Sequence, residues 1–185
     1  SHNLALLRPN CYSRYHMTLQ LKNLTIPHRL ILAPMCGITL KPFRKICKEN
    51  GAGLVFNQMV SAKALTMRDD KSFKIMEFDD SERPVGLQVF GNNADTLAEA
   101  ARIMEDKGPD VIDLNLGCPA KKIVNDGGGS ALLADEIKLA EILRKMRQSI
   151  QGVFTIKIRA GWDEHSKNSS NVARIAESEG IDAIA

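Results

Sequence analysis

The run Leu114-Asn115-Leu116-Gly117-Cys118-Pro119 closes an apolar stretch, Val111-Ile112-Asp113-Leu114, and delivers a thiol just past its end. An isolated free cysteine is more often a small buried hydrophobe than a reactive group. Here an amide precedes it by three residues, and a glycine-rich turn, Gly127-Gly128-Gly129-Ser130, follows before Ala131-Leu132-Leu133. Three successive glycines predict a mobile loop after Cys118. A second pattern that could do chemistry is Phe154-Thr155-Ile156-Lys157-Ile158-Arg159, where a cation interrupts an apolar run. Either this is an edge strand with solvated basic residues, or the Lys157 ammonium meets an anionic or electron-rich partner. A reduced flavin is such a partner, because its N1 and C2 carbonyl carry negative charge that a fixed lysine stabilises. Gln88, inside Val85-Gly86-Leu87-Gln88-Val89, offers an amide that can donate and accept at a heterocycle edge. Pro34 and Met35 could press against a flat ring, or simply pack a turn.

These residues need elements to hold them. Apolar, β-branched runs recur at 30–33, 54–56, 85–89, 111–114, 154–158 and 181–185, each reading as a buried strand. Amphipathic stretches at 42–50, 94–107, 135–150 and 168–179 read as helices, with Asp135 opening one and Gly51, Gly108 and Gly180 closing others. Strand and helix thus alternate at roughly thirty residues per unit, as parallel βα architecture requires. An open dinucleotide-binding sheet would carry G-x-G-x-x-G after its first strand. The first strand instead ends Ala33-Pro34-Met35-Cys36-Gly37. The functional side chains fall at successive strand ends, which is the habit of the closed (β/α)8 barrel. The expected fold is therefore an α/β TIM barrel, present as an incomplete barrel of about six βα units. A full barrel takes about 250 residues, so strands seven and eight are expected to be absent.

Composition narrows the class further. The chain has 185 residues, 44% hydrophobic and 25% charged, ordinary for a globular protein with one core. Its formal charge of +3 permits an RNA partner without establishing one. Cys11, Cys36, Cys47 and Cys118 form no CxxC pair and have no histidine at metal spacing, so neither a disulfide framework nor a zinc site is expected. A reducing cytoplasm fits that usage. Leu4-Ala5-Leu6-Leu7 is too short for a signal-peptide core, and residues 1–16 read as leader or appended sequence, leaving 17–185 for the barrel.

Together the motifs resemble the flavin-dependent tRNA-dihydrouridine synthases. The resemblance rests on Ala33-Pro34-Met35 with Gly37-Ile38-Thr39, Pro42-Phe43-Arg44, Gly51-Ala52-Gly53, Gln88-Val89-Phe90-Gly91, Leu114-Asn115-Leu116-Gly117-Cys118-Pro119-Ala120-Lys121-Lys122, Gly129-Ser130-Ala131-Leu132-Leu133 and Lys157-Ile158-Arg159-Ala160-Gly161-Trp162. It covers residues 28 to 185 and is nearest the bacterial B-type branch. It implies that NADPH reduces FMN, which then delivers hydride to C6 of a uridine in tRNA. Cys118 would protonate C5, a role that needs the thiol form, unlike a nucleophilic cysteine. FMN contacts would fall to Pro34, Met35, Cys36 through its backbone, Gln88 and Lys157. Asn115 would hold the edge of the flipped uracil, and Arg159 the base or a phosphate. Lys41, Arg44, Lys63, Lys121 and Lys122 could line a basic rim.

Asn57-Gln58 stand where the resemblance leads one to expect Thr-Glu or Ser-Glu, so an expected carboxylate is an amide here. Cys36 stands where a small apolar residue is usual. The strand-six histidine and arginine, the phosphate-gripping loops after strands seven and eight, and a C-terminal helical tRNA-docking domain are expected to lie beyond Ala185. A chain without them is expected to be inactive alone and to associate through open sheet edges. Three other readings remain: a dihydroorotate or dihydropyrimidine dehydrogenase-like flavin barrel acting on a free pyrimidine, a non-catalytic RNA-binding half-barrel, and an aldolase-like barrel whose triple glycine cradles phosphate.

Overall fold

A computed structural model describes residues 18–185; the stretch read as leader, residues 1–16, and Cys11 lie outside the described residues. Side chains alternate across each strand, and this sorts the chain into two cores. On β6 (Val85–Phe90), β7 (Val111–Asn115) and β8 (Val153–Lys157), the residues Leu87, Val89, Ile112, Leu114, Phe154 and Ile156 join a large core with the helices. That core is completed by α4 (Ala94–Glu105), α6 (Glu136–Ser149) and α7 (Ser169–Ser178). The intervening residues, among them Gly86, Gln88, Asp113, Asn115, Thr155 and Lys157, share the other face of the sheet.

The sheet also contains β3 (Ile31–Leu32), β4 (Leu54–Phe56) and β9 (Ala183–Ile184), and its order is β3-β4-β6-β7-β8-β9, parallel throughout. Neighbours in the sheet follow the order of the chain. A doubly wound sheet reverses at a switch point, whereas this one never does, so its helices fall on one side and it curls into part of a barrel. The six expected strands and four expected helices are all present, with ends shifted by one or two residues. Asn93 and Asp135 cap α4 and α6 by accepting from Thr96 N–H and Lys138 N–H.

Several elements go beyond those expected. A hairpin of β1 (Leu19–Leu21) and β2 (Leu24–Ile26) precedes the barrel strands. Its Leu19, Leu21, Leu24 and Ile26 pack with Leu54, Phe56, Val111 and Val153, three of which begin their strands. The hairpin therefore plugs the N-terminal end of the barrel, leaving the C-terminal ends for chemistry. A Cβ on Gly86 would lie 2.1 Å from Phe56 Cε1, so this inner face has room for the Phe56 ring only because residue 86 is glycine. Short helices α2 (Ala62–Thr66), α3 (Asp70–Ile75) and α5 (Lys121–Asn125) fill the connections.

A bulge interrupts the second barrel strand. Phe56 pairs with Gly86, and the strand resumes as β5 (Val60–Ser61), where Val60 pairs with Val89. Three residues, 57 to 59, therefore oppose two, and the bulge turns Asn57 so that its Oδ1 accepts the Gln88 N–H at 2.8 Å.

Arg44 ties the first βα loop down. On α1 (Lys41–Glu49), its guanidinium donates to Glu82 Oε2 at 2.6 Å, to the Thr39 carbonyl at 3.0 Å and to the Glu77 carbonyl at 2.8 Å. Arg44 and Glu82 are 2% and 1% exposed, so the pair is wholly desolvated. This corrects the expectation that Arg44 could join a phosphate-binding rim, since its donors are spent inside the protein. Removing one partner of such a pair strands a buried charge. Glu82→Gln is expected to lower stability by about 3 kcal/mol in denaturant unfolding, and Arg44→Met/Glu82→Gln by less than the sum of the single changes; additive losses would contradict a shared buried pair.

Candidate active site

Strand register sets three polar side chains side by side on the inner face: Gln88 pairs with Asp113, and Asp113 with Thr155. Hydrogen bonds join them. Thr155 Oγ1 donates to Asp113 Oδ1 at 2.5 Å and Gln88 Nε2 donates to Asp113 Oδ2 at 2.6 Å. One step nearer the C-terminal mouth, Asn115 pairs with Lys157, and Asn115 Nδ2 donates to Gln88 Oε1 at 3.0 Å. Asn115 Oδ1 then accepts the backbone N–H groups of Cys118 at 3.0 Å and Gly117 at 3.3 Å. A continuous chain of hydrogen bonds thus runs from Thr155 through Asp113, Gln88 and Asn115 to the half-buried Cys118.

The Cys118 loop is held from its other side as well. Ser130, itself buried, donates both its N–H (3.1 Å) and its hydroxyl (3.0 Å) to the Cys118 carbonyl. Gly129, at φ +57°, comes so close that a Cβ there would lie 2.7 Å from that carbonyl oxygen. Gly128 is buried against the Gly91 carbonyl and Gly129 and Ser130 against the Cys118 loop, so the glycines supply close approach where flexibility was expected.

A cavity of about 240 Å³ opens along the inner face, lined by Pro34, Phe56, Asp113, Thr155, Lys157 and Ala183 among others. Pro34 and Lys157 therefore meet across one space, while Gln88, 1% exposed, stands behind it. Half-buried Lys157 makes no ion pair and no hydrogen bond through Nζ among the described residues. Met35 is half-buried, and Thr39 clasps its backbone by donating to the Met35 carbonyl and accepting its N–H, both at 3.0 Å. Gln58 Oε1 accepts the N–H of Gly37 at 2.7 Å, a bond a carboxylate at that position could equally make. The exposed Cys36 thiol is pushed up from its ordinary value by burial and by Cys118 nearby, and pulled down by the Met59 N–H. Arg159 lies exposed beyond β8 with no hydrogen bond among the described residues. Lys63, Lys121 and Lys122 are exposed, while Lys41 pairs with Asp79 at 2.8 Å.

Asp113 and Thr155 join the site although their sequence context does not single them out, and Asn57 and Ser130, noted in the sequence within motifs, take side-chain roles there that the sequence does not assign. Asp113 and Thr155 stand two residues before Asn115 and Lys157, so strand alternation alone puts each on the same face as a candidate site residue. Asn57 is fully buried, and its Nδ2 has no partner among the described residues. Burial raises the Asp113 carboxyl from 3.8 to about 7, against the lowering effects of Gln88, Thr155 and the Lys157 charge.

No helix among the described residues is long and apolar enough to cross a membrane. The strands define a parallel (β/α) barrel segment with a hydrogen-bonded polar row on its inner face. Residues 31–185 match the family model described as Dihydrouridine synthase (Dus), and the chain belongs to that family. It is similar to tRNA-dihydrouridine synthase B of Pseudomonas aeruginosa, 44% identical over 161 residues covering 87% of this chain and 48% of that protein. It is likewise similar to tRNA-dihydrouridine synthase B of Xanthomonas campestris, 42% identical over 167 residues covering 90% of this chain and 50% of that protein. The chain spans about half the length of these relatives. Among solved structures, histamine dehydrogenase from Rhizobium sp. 4-9 shares the fold, with TM-score 0.61 and 14% identity over 90% of this chain and 35% of that one.

An acid held at about 7 in the folded protein and near 3.8 when unfolded keeps a proton that the unfolded chain releases. Native stability should therefore fall as pH rises from about 4 to about 7, by at most ~4 kcal/mol at roughly 1.36 kcal/mol per pH unit. Asp113→Asn removes this slope. Melting temperatures of the two proteins measured across that range should diverge, and parallel curves would refute the assignment.

Proposed function

We propose that this chain supplies the flavin- and uracil-facing half of a tRNA-dihydrouridine synthase. The observation that carries the reading is the mouth itself: a cysteine loop fixed by Asn115 and Ser130 opens beside an ammonium, Lys157, that makes no direct ion pair or hydrogen bond among the described residues and meets the Asp113 charge only at longer range. The residues fit a flat anionic cofactor. Among the described residues Lys157 makes no direct ion pair, the buried Asn57 Nδ2 is an orphan donor, and Pro34 offers an apolar wall to the same cavity as Lys157. Pro34, Met35, the backbone of Cys36, Gln88 and Lys157 would hold FMN. FMN recharged by NADPH would supply the hydride that reduces C6 of a uridine in tRNA.

The remaining work falls to the chain's own side chains. Cys118 gives its thiol proton to C5, quenching the charge that hydride addition builds at C5 and O4. Its loop is pinned on both sides, so the proton is presented without a search. Lys157 would offset negative charge on a reduced flavin held in this cavity. Asn115 meets the edge of the base, and Arg159, exposed beside the mouth, reaches a phosphate or the base.

FMN titrated into this chain should show saturable fluorescence quenching that Lys157→Ala weakens at least about tenfold, as expected for a lost charge-assisted contact. In a chimera carrying residues 31–185 in place of the matching segment of the Pseudomonas aeruginosa relative, dihydrouridine should form in tRNA. Cys118→Ala should lower that rate about 10²- to 10⁴-fold with FMN still bound. Dihydrouridine formation undiminished in Cys118→Ala would remove the proton-donor role, and failure of the chimera, which carries the downstream phosphate-gripping loops, to bind FMN would count against the flavin platform.

A further inference from the structure

The hydrogen-bond chain across the inner face has a direction. At its outer end, the backbone N–H groups of Gly117 and Cys118 can only donate, so Asn115 must turn Oδ1 toward them and Nδ2 toward Gln88. Gln88 must then accept through Oε1, which leaves Nε2 to face Asp113. At its inner end, a carboxylate can only accept, and it demands the same orientation of Gln88. Both ends agree, and every donor points toward Asp113. The polarity survives protonation of Asp113, because the added hydrogen can settle on Oδ1 facing Thr155, a hydroxyl able to accept it; the Gln88 amino group cannot.

We propose that Asp113 is a positioning residue: it anchors the inner end of a row whose outer end the Gly117 and Cys118 N–H groups orient, so Gln88 and Asn115 are held from both sides, Asn115 keeps a single unused N–H, and the mouth selects a ring that presents a carbonyl oxygen there. The acceptor capacity of Asn115 is filled by two backbone N–H groups. One Nδ2 hydrogen is committed to Gln88 and the other is unspent. A donor-only amide rewards a carbonyl and turns away an amino group, which is the difference between O4 of uracil and N4 of cytosine. A pyrimidinedione edge of this kind occurs both in a uridine and at the pyrimidine end of a flavin, and the test separates them. This inference deepens the reading of the site as a uracil- and flavin-binding mouth, and rests on it for the ligand class.

The positioning half is tested without ligand. In the ¹⁵N-labelled 185-residue chain, the side-chain amides of Gln88 and Asn115 should give resolved, exchange-protected signals. Asp113→Leu should abolish that protection at both residues, including Asn115, which Asp113 does not touch. Asp113→Asn should restore it, since the new amide can accept from Gln88 and donate to Thr155. Thr155→Val, which leaves the Asp113 to Gln88 bond in place, keeps the test decisive should Asp113→Leu not fold: it should preserve the protection at both amides. Protection unaltered in folded Asp113→Leu, or absent from Asp113→Asn, overturns the proposal. The ligand half is read from the free Asn115 Nδ2 hydrogen. FMN shifting it assigns the carbonyl to the flavin, and uridine doing so assigns it to the base. Cytidine shifting it as far as uridine overturns the selectivity. Failure of the Pseudomonas aeruginosa chimera to bind FMN, while the amides respond to Asp113 as described, would sink the flavin reading and leave the positioning role standing.

Discussion

The register of β6, β7 and β8 is the constraint on which the site depends. Parallel pairing places Gln88, Asp113 and Thr155 in one row and Asn115 beside Lys157 in the next. A slip of one residue in any of the three strands would send these groups to the helix-facing side and bring Leu, Ile and Phe inward. The large core that buries Leu87, Leu114, Phe154 and Ile156 against the helices therefore also selects the polar row. Hydrophobic burial and site assembly are two sides of the same pairing.

The two ends of the curled sheet have been given different tasks. At the N-terminal end, the β1–β2 hairpin covers strand beginnings with leucine and isoleucine, which suits stability and excludes chemistry. At the C-terminal end, two loops are fastened by specific polar devices: Thr39, Arg44 and Gln58 on the loop after β3, and Asn115 with Ser130 around Cys118 after β7. Loops fixed at several points hold the Cys118 backbone and the paired strand ends of Asn115 and Lys157 in place, so little ordering would be left to do on binding. The buried Asp113 tolerates its position because two donors meet it directly.

Much of this was legible in the sequence. Six apolar runs separated by amphipathic stretches define the barrel order, because burial on both faces leaves parallel strands uniformly apolar. Cys118, Asn115 and Lys157 stand out because they fall where such runs end, and an amide or ammonium there is costly to bury unless something satisfies it. What was hidden depends on three dimensions. The β1–β2 strands are only three residues each, too short for periodicity to register. The bulge at residues 57 to 59 is defined by a partner strand nearly thirty residues away. Asp113 passes for one polar residue in an apolar run, and its importance emerges only when Gln88 and Thr155 arrive beside it. A run of three glycines suggests freedom of motion, but at Gly129 it is the missing Cβ that matters.

Phe56 and Gly86 carry a consequence for how this family member can vary. The ring of one occupies the volume any side chain of the other would need. Change at the two positions is therefore ordered in time: residue 56 must become smaller before residue 86 can become larger. A lineage that took the steps in the opposite order would pass through an overpacked barrel, so its accessible histories are fewer than the number of compatible end states.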